Sequence, residues 1–247
     1  MENRVYLQPA YILHKQPFQN SSLLLDFFCL DYGRVRAVAR GARSGKSRYR
    51  SLLQVFQPLL VSLSGKGEVK TVTGVESSVA AIQLRGEKLF SGLYLNELIT
   101  RLLLVNVEQA GLYQRYQEAL VALSGVDELN QVLRRFEMAL LDELGYAINL
   151  ETDCVSRRPI AAESRYLFVP DLGFEELPGD DDRAGQLGNV FLGRHIQSLK
   201  ALKFCDADSR QAAKRITRLA LAAHLGDKPL HSRNLFLRSG RNQDPRL

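Results

Sequence analysis

The sequence predicts an α+β fold, in which a five-stranded OB-fold barrel precedes a mainly α-helical domain. The first 80 residues consist of short apolar runs separated by turn residues, which is typical of a small β-barrel. From Glu87 onward the apolar residues recur at helical spacing. With 247 residues, 45% of them hydrophobic, the chain can bury one large core or two modest ones.

Five strands are predicted in the barrel. A turn at residues 17–21 separates the runs "RVYLQPAYILH" and "SSLLLDFFCLDYG", and "GRVRAVARGA" follows at once. A glycine-containing turn at residues 64–67 joins "FQPLLVSLSGKG" to "EVKTVTGVE". The longer segment 44–53, after the third strand, can hold a short helix. Five strands with an insertion after the third is the plan of an OB-fold.

The third strand is predicted to present arginines to solvent, because side chains alternate between the two faces of a strand. One face carries the small apolar residues Val35, Ala37 and Ala39, which suit a barrel interior. The other face carries Arg34, Arg36, Val38 and Arg40. Tyr32 and Tyr49 are interleaved with these bases, and each can either stack on a nucleic-acid base or plug the barrel.

Positive charge is concentrated in the first third of the chain. Residues 1–80 hold 11 lysines and arginines against five acids, so they carry the whole net charge of +6. No acid occurs between Asp31 and Glu68, where a solvated face would have acids interspersed. This pattern favours a polyanion partner. The residues predicted to contact such a partner are Arg34, Arg36, Arg40, Arg43, Lys46, Arg48, Arg50, Lys66 and Lys70.

The stretch "RGARSGKSRYR" resembles a nucleotide-binding loop but does not match its spacing. A P-loop reads G-x-x-x-x-G-K-[ST] between a strand and a helix. Here Gly41, Gly45, Lys46 and Ser47 are one residue short, and Pro58 follows too soon for a long helix. The curvature of such a loop depends on its length, so we interpret the charge as a contact for polynucleotide phosphates.

Helices are predicted for "EKLFSGLYLNELITRLLLV", "GLYQRYQEALVALSG", "VDELNQVLRRFEMALLDELGY" and "DADSRQAAKRITRLALAAHLG". Asp127 is expected to cap the third helix and Gly145 to follow its end, while Asp206 or Asp208 caps the last helix and Gly226 closes it. The last helix carries a basic stripe. Its members are Arg210, Lys214 and Arg218, with Arg215 on the flank.

These patterns predict three segments. Residues 1–80 form the polyanion-binding barrel, and residues 81–237 form a helical domain with an irregular insert near 147–185. One strand is expected in the insert, within "RYLFVPDLG", and the acidic run at 180–182 is expected to be a solvated turn rather than a metal site. Residues 238–247 lack apolar side chains, and we expect a disordered tail.

Several classes of protein are disfavoured by what the sequence lacks. It has no run of about 18 apolar residues and no apolar signal at its start, which predicts a cytoplasmic protein without a membrane span. Cys29, Cys154 and Cys205 are widely spaced, so neither a disulfide framework nor a cysteine metal site is expected. There is no H-E-x-x-H or G-x-S-x-G motif, and we expect a binding protein rather than an enzyme.

The whole chain resembles the RecO family of bacterial recombination mediators. Five stretches carry the resemblance and keep their order from about residue 5 to residue 237. They read "SLLLDFFCLDYGRVRAVARGARS", "GEVKTVTGVE", "LFSGLYLNELITRLL", "LRRFEMALLDELGY" and "DADSRQAAKRITRLALAAHLGDKPLHSRNLF". No single motif is diagnostic, but the ordered set is specific. Members of the family share an OB-fold followed by a helical domain.

The resemblance implies a mediator of DNA repair and homologous recombination in the RecF pathway, acting after DNA damage and in the SOS response. Such a protein binds single- and double-stranded DNA, anneals complementary strands and binds RecR. It also recognises the acidic C-terminal tail of single-stranded DNA-binding protein and so helps RecA to replace that protein on DNA. The implied location is the nucleoid.

The resemblance also implies a peptide site and the absence of a cofactor. A tail with acids, an apolar side chain and a free carboxylate requires bases beside an apolar pocket. The candidate residues are Arg134, Arg210, Lys214, Arg215 and Arg218. Many members carry a four-cysteine zinc module after the stretch equivalent to "ELGYAINL". Only Cys154 is present there, so we expect no zinc and a remodelled linker.

Two alternatives remain open on the sequence alone. A metal-dependent nucleic-acid enzyme would require clustered carboxylates, and Asp26 and Asp31 are the acids on the early strands to examine. An RNA-binding OB protein would use the same basic surface, and competition between RNA and single-stranded DNA would distinguish it.

Overall fold

The computed structural model describes residues 4–45, 47, 49–77, 79–178, 188–232 and 234–235. By their internal contacts these residues fall into two compact units. The first comprises Met1–Val126 with Pro229–Leu247, and the second comprises Asp127–Lys228. Two helices and a C-terminal segment therefore group with the barrel. The domains predicted from the sequence, residues 1–80 and 81–237, stay a prediction.

The first unit is built on a closed five-stranded barrel. Its strands are β1 (Arg4–Phe18), β2 (Ser22–Cys29), β3 (Gly33–Ala39), β4 (Leu59–Ser64) and β5 (Val69–Glu76). They pair in the order β1-β2-β3-β5-β4, and β4 returns to β1 to close the barrel. The pairing of β3 with β5 is parallel, whereas the other pairs are antiparallel. This confirms the predicted five-stranded OB-fold barrel and the α+β class.

The predicted alternation along β3 is confirmed. Val35, Ala37 and Ala39 are fully buried in the barrel core, and the intervening side chains are half-buried. Small residues suit this position because side chains from every strand meet on the axis of a small barrel. The arginines of β3 are thereby directed away from the core.

The outer face of β1 and β2 is covered by two helices of the same unit, α1 (Glu87–Leu102) and α2 (Ala110–Ser124). Tyr11 and Phe28 are buried there and contact Tyr113 and Tyr116, with ring centroids 5.3–5.9 Å apart. The Tyr116 hydroxyl donates to Asn96 Oδ1 at 2.6 Å, so its polar atom is satisfied in this apolar setting. This face of the barrel is therefore closed to a ligand.

The second unit contains three helices and a small sheet. Its elements are α3 (Leu129–Glu143), β6 (Arg165–Val169), β7 (Gly173–Leu177), β8 (Val190–Leu192), α4 (Gly193–Ala201) and α5 (Ala207–Leu225). The sheet order is β7-β6-β8, with both pairs antiparallel. Only one strand was expected in this segment. The short strands alternate weakly and sit among polar residues, so their apolar pattern is faint.

The helix ends test the predicted caps. Asp206 caps α5 by accepting from Ser209 N at 2.6 Å, while Ser209 Oγ accepts from Asp206 N, which forms a capping box. Gly145 and Gly226 adopt positive φ values of 82° and 66° beyond α3 and α5, as predicted. The Asp127 cap was wrong, because the residue before α3 is Glu128 and it makes no side-chain capping bond.

Two further predictions differ from the structure or fall outside it. Between β3 and β4 the described residues form turns and a bridge rather than the short helix expected at 44–53. The acidic run 180–182 and the tail 238–247 lie outside the described residues. Within the described part of the chain, no helix combines the length and apolar character needed to cross a bilayer.

Candidate nucleic-acid interface

The open side of the barrel carries exposed cations that follow β3 into the next loop. Arg40, Arg43 and Arg50 are exposed, and the Arg36 side chain is 42% exposed. Lys66 is exposed in the hairpin between β4 and β5, and β5 lies beside β3 where Val69 pairs with Arg36. We call these five residues, Arg36, Arg40, Arg43, Arg50 and Lys66, the barrel cations.

Arg34 is engaged by the fold, unlike the barrel cations. Its side chain is only 13% exposed, and its Nε and Nη2 donate to Asp26 Oδ1 at 3.4 and 3.3 Å. A third donor, Nη1, reaches the Leu103 carbonyl at 3.2 Å. Arg36 Nε shares the same carboxylate oxygen at 3.3 Å. Asp26 therefore holds Arg34 against the barrel and leaves the more exposed Arg36 tethered at one atom.

Lys70 is also used within the barrel. It is 5% exposed, and its Nζ donates to the Gly65 carbonyl at 2.8 Å, which closes the hairpin between β4 and β5. A side chain buried in this way has little surface to offer a phosphate. The remaining predicted residues of the loop, Lys46 and Arg48, lie outside the described residues.

The two interleaved tyrosines pack on the barrel core. Tyr32 and Tyr49 are partly buried against it, and the Tyr49 hydroxyl donates to the Thr73 carbonyl at 3.4 Å. Both rings therefore pack on the barrel core, as the second of the two roles left open by the sequence requires.

Lys15 was missed in the sequence. It lies on β1, and its Nζ donates to the Leu53 carbonyl at 3.0 Å and to Gln54 Oε1 at 2.8 Å. Burial lowers the pKa of Lys15. The charge count for residues 1–80 included this lysine, but it stands alone among apolar and polar neighbours in the sequence. Only the closing of the barrel brings it to the arginine-rich loop.

The second unit has its own basic surface, where α5 meets the start of α3. A cavity of about 480 Å³ is lined by Asn130, Ala207, Arg210, Gln211, Lys214, Arg215 and Arg218. Four of the five predicted peptide-binding residues thus line one cavity. Arg215 also lies over the Phe191 ring at 5.2 Å and donates to the Gly188 carbonyl, so its guanidinium is held in place.

Arg134, the fifth candidate, lies apart from that cavity surface. Its side chain is 3% exposed, and its Nη2 donates to Glu137 Oε1 at 2.6 Å; the Glu137 side chain is fully buried. The two residues are three apart on α3, a spacing that brings their side chains together. A buried pair of this kind is costly to separate. Arg134 is therefore part of the core around α3 and is not on the surface of that helix.

The residues present do not fit the zinc module of the family. Cys154 is the one cysteine of the segment, and the described residues contain no group of three histidines, cysteines or acids able to hold a metal. In its place Asp153, 2% exposed, accepts backbone hydrogen bonds. Its Oδ1 accepts from Val155 N at 2.8 Å and from Ser156 N, and its Oδ2 accepts from Glu176 N at 2.5 Å.

The early acids do not form a catalytic cluster. Asp26 is occupied by Arg34 and Arg36, and Asp31 is exposed at the turn before β3. A two-metal enzyme would instead need several carboxylates converging on an open cleft. Asp26 instead orients the side chains of Arg34 and Arg36.

Comparison with known proteins agrees with the fold. Residues 1–79 match the family described as Recombination protein O N terminal, and residues 83–234 match Recombination protein O C terminal. The chain is 44% identical over 235 residues to DNA repair protein RecO of Cellvibrio japonicus, covering 94% of this chain and 97% of that protein. It is 42% identical over 230 residues to DNA repair protein RecO of Salmonella typhimurium, covering 93% of each. The chain therefore belongs to the RecO family of DNA repair proteins.

Proposed function

We propose that this protein is a recombination mediator that binds single- and double-stranded DNA and anneals complementary strands. With RecR, it helps RecA load onto strands that are coated by single-stranded DNA-binding protein. It acts by binding alone, without catalysis or a cofactor, at the nucleoid in the cytoplasm. The family assignment and the names of the relatives support a role in DNA repair.

The observation that carries the proposal is the open side of the barrel. The barrel cations lie on adjoining elements, β3, the loop after it and the β4–β5 hairpin. The sequence has no acid between Asp31 and Glu68, and Asp26 pairs with Arg36 among these residues. Phosphates are the ligands such a surface attracts, because the released counterions supply much of the free energy of binding. The contacts are insensitive to base sequence, as a mediator of general repair requires.

Annealing follows from the same electrostatics. Two complementary strands repel each other through their phosphates, and a surface that neutralises both lowers the cost of their encounter. Base pairing then supplies the driving force, so no nucleotide hydrolysis is required. The loop that fails the P-loop spacing is consistent with this, since Gly41 and Gly45 lie among phosphate-binding arginines rather than before a helix.

The DNA site is tested by the triple variant R40A/R43A/R50A. Each lost phosphate contact reduces the slope of log affinity against log salt by about 0.7 for a single strand, so we expect a slope about 2 units shallower. Fluorescence anisotropy with a labelled oligonucleotide at several salt concentrations measures it. The control R85A/R135A/R157A removes three exposed arginines that are not part of the barrel strands or their loops and should retain the slope. An unchanged slope in R40A/R43A/R50A would remove these residues from the DNA site.

The cavity on α5 is the proposed site for the tail of single-stranded DNA-binding protein. Its four cations suit the acids and free carboxylate of that peptide, and guanidinium groups bind carboxylates with two hydrogen bonds. Its described lining is more polar than the apolar pocket we expected, with Ala207 its one apolar member. The free carboxylate and acids therefore supply most of the proposed recognition.

The charge reversal K214E/R218E tests this site. We expect it to weaken binding of a synthetic acidic C-terminal peptide at least about tenfold, because losing a charged partner of a carboxylate costs 1.5 kcal/mol or more, roughly tenfold. The same peptide with an amidated C-terminus reports the share of the free carboxylate. R135E, an exposed reversal on α3, serves as the control. Peptide binding that survives in K214E/R218E would place the site elsewhere.

A further inference from the structure

A second feature of the barrel is a pocket rather than a surface. It has a volume of about 400 Å³ and lies where the β1–β2 hairpin meets the loop after β3. We call it the loop pocket. It is lined by Lys15, Pro17, Leu23, Ala42, Arg43, Arg50, Leu53 and Gln54. Its size is at the small end of ligand-binding cavities, which suits one small unit rather than a folded partner.

The chemistry of the loop pocket is divided into two parts. Its cations are Lys15, Arg43 and Arg50, and none of the described residues that line it is acidic. Three like charges around one cavity repel each other, and an anionic ligand relieves that repulsion. Lys15 is fixed there by its bonds to Leu53 and Gln54, and Arg43 Nη1 donates to the Gln19 carbonyl at 3.5 Å.

The other part of the loop pocket is an apolar wall. It consists of Pro17 on β1, Leu23 on β2, and Ala42 and Leu53 from the loop after β3. Leu53 and Ala42 are 1% and 2% exposed, so the back of the wall is continuous with the barrel core. A flat apolar group with a phosphate attached would satisfy both the wall and the cations.

We propose that the loop pocket holds one nucleotide of a single strand, with the base against the apolar wall and a phosphate among the cations. This rests on the proposed DNA binding and adds a preference to it. A base in a duplex is stacked and paired, so only an unstacked base enters such a pocket without added cost. The loop pocket therefore distinguishes single strands from duplex DNA, which the barrel cations alone do not.

The test separates the base from its phosphate. One probe is a labelled oligothymidylate of about 15 nucleotides, close to the largest site of one OB-fold. The other is a strand of the same length made of abasic spacers, which has equal charge and no bases. We expect the wild-type protein to bind the thymidylate at least about fivefold more tightly, the gain expected from burying about 40 Å² of base surface against the apolar wall.

A matched pair of variants locates the contact. P17E places a carboxylate on the apolar wall, and Q16E adds the same charge at the neighbouring exposed position of β1, which is not part of the lining. These residues pair with Leu23 and Leu24 in the β1–β2 register. We expect P17E to reduce the ratio of the two affinities to about one. Q16E should lower both affinities alike and preserve the ratio.

The outcomes are distinct. Equal binding of both strands by the wild type, or equal ratios in P17E and Q16E, overturns the loop pocket while DNA binding stands. Failure to bind either strand overturns the proposed DNA binding itself. Should P17E not fold, 2-aminopurine placed at each position of the strand tests the wild type alone. Brighter emission on binding at one position or more supports an unstacked base, and unchanged or quenched emission at every position overturns it.

Discussion

At the scale of the residue, one carboxylate sets the roles of two arginines. Asp26 on β2 accepts from two nitrogens of Arg34 and from one nitrogen of the barrel cation Arg36. Its register against Arg36 on β3 places the carboxylate between two arginines of the same face. Arg34, only 13% exposed, contributes to the fold, whereas Arg36 keeps 42% of its side chain exposed despite the shared carboxylate.

Removing the Asp26 charge should therefore improve DNA binding while it weakens the fold. In D26N the charge that neutralises Arg34 and Arg36 is lost, so we expect the affinity for DNA to rise several-fold and the salt slope to steepen by up to about one unit. The free energy of unfolding should fall by about 1–3 kcal/mol, because a buried charged hydrogen-bonding group is replaced. Anisotropy titrations and urea denaturation measure the two effects.

The matched control for Asp26 is D31N. It removes one negative charge from the exposed turn before β3 and should leave the free energy of unfolding within about 0.5 kcal/mol of the wild type. If D26N binds DNA no more tightly than D31N, then Asp26 does not restrain the arginines that contact DNA.

At the scale of the element, Asp153 shows how one buried carboxylate can hold the segment after α3. Asp153 joins the turn at residues 153–156 to β7 through its bond from Glu176 N. Burial alone would raise the pKa of Asp153, but hydrogen bonds from Ser156, Glu176 and Val155 lower it overall. The carboxylate therefore stabilises the segment in its charged form.

The stability supplied by Asp153 should depend on pH. A carboxylate with a lowered pKa stabilises the folded state above its unfolded pKa of about 3.9, and this is lost as pH falls through the lower, folded value. In D153N, an amide nitrogen opposes a backbone N–H, and we expect about 1–2 kcal/mol less stability at pH 7. The difference from the wild type should shrink below about pH 4. Urea denaturation across this range checks it.

The control for this segment is D171N, which changes an exposed acid in the turn between β6 and β7 that accepts from His224 Nε2 at 3.2 Å. Asp171 is 57% exposed, so D171N should lose at most about 1 kcal/mol at pH 7. A D153N curve that runs parallel to the wild type at every pH would show that the charge of Asp153 is not what holds the segment.

At the scale of the whole molecule, the chain returns to its first unit after leaving it. Residues from Pro229 onward group with the barrel, although about 100 residues of the second unit precede them. Glu97 on α1 holds them by accepting from His231 N, Ser232 N and Ser232 Oγ at 2.6–2.8 Å. Burial would raise the pKa of Glu97, but the bonds from Ser232 and His231 lower it overall.

Releasing this contact should loosen the returning segment without unfolding the first unit. In E97Q an amide nitrogen replaces one accepting oxygen, so the Ser232 and His231 amides should exchange hydrogen faster. The free energy of unfolding should fall by about 1 kcal/mol, since Glu97 is half-exposed. Hydrogen exchange read at single amides measures this. The control is E108Q, which changes an exposed acid between α1 and α2 and should leave the exchange rates unchanged. Unchanged exchange rates in E97Q as well would show that Glu97 does not hold the returning segment.

The sequence by itself determined the elements and the sign of their charge. Apolar alternation predicted all five barrel strands, helical spacing predicted α1, α2, α3 and α5, and the acid-free stretch marked the basic side of the barrel. These features are local, because strand and helix periods are written in neighbouring residues. The short strands β7 and β8 and the helix α4 were missed because each is too short to show a period.

Only the tertiary structure decided which charges remain available. Arg34, Lys70 and Arg134 look like their exposed neighbours in the sequence, but each is held by a group from another strand, turn or helical turn. Lys15 joins Arg43 and Arg50 because the barrel closes, across more than 25 positions of sequence. Burial depends on contacts between residues that are far apart in the sequence, and the folding of the chain creates those contacts.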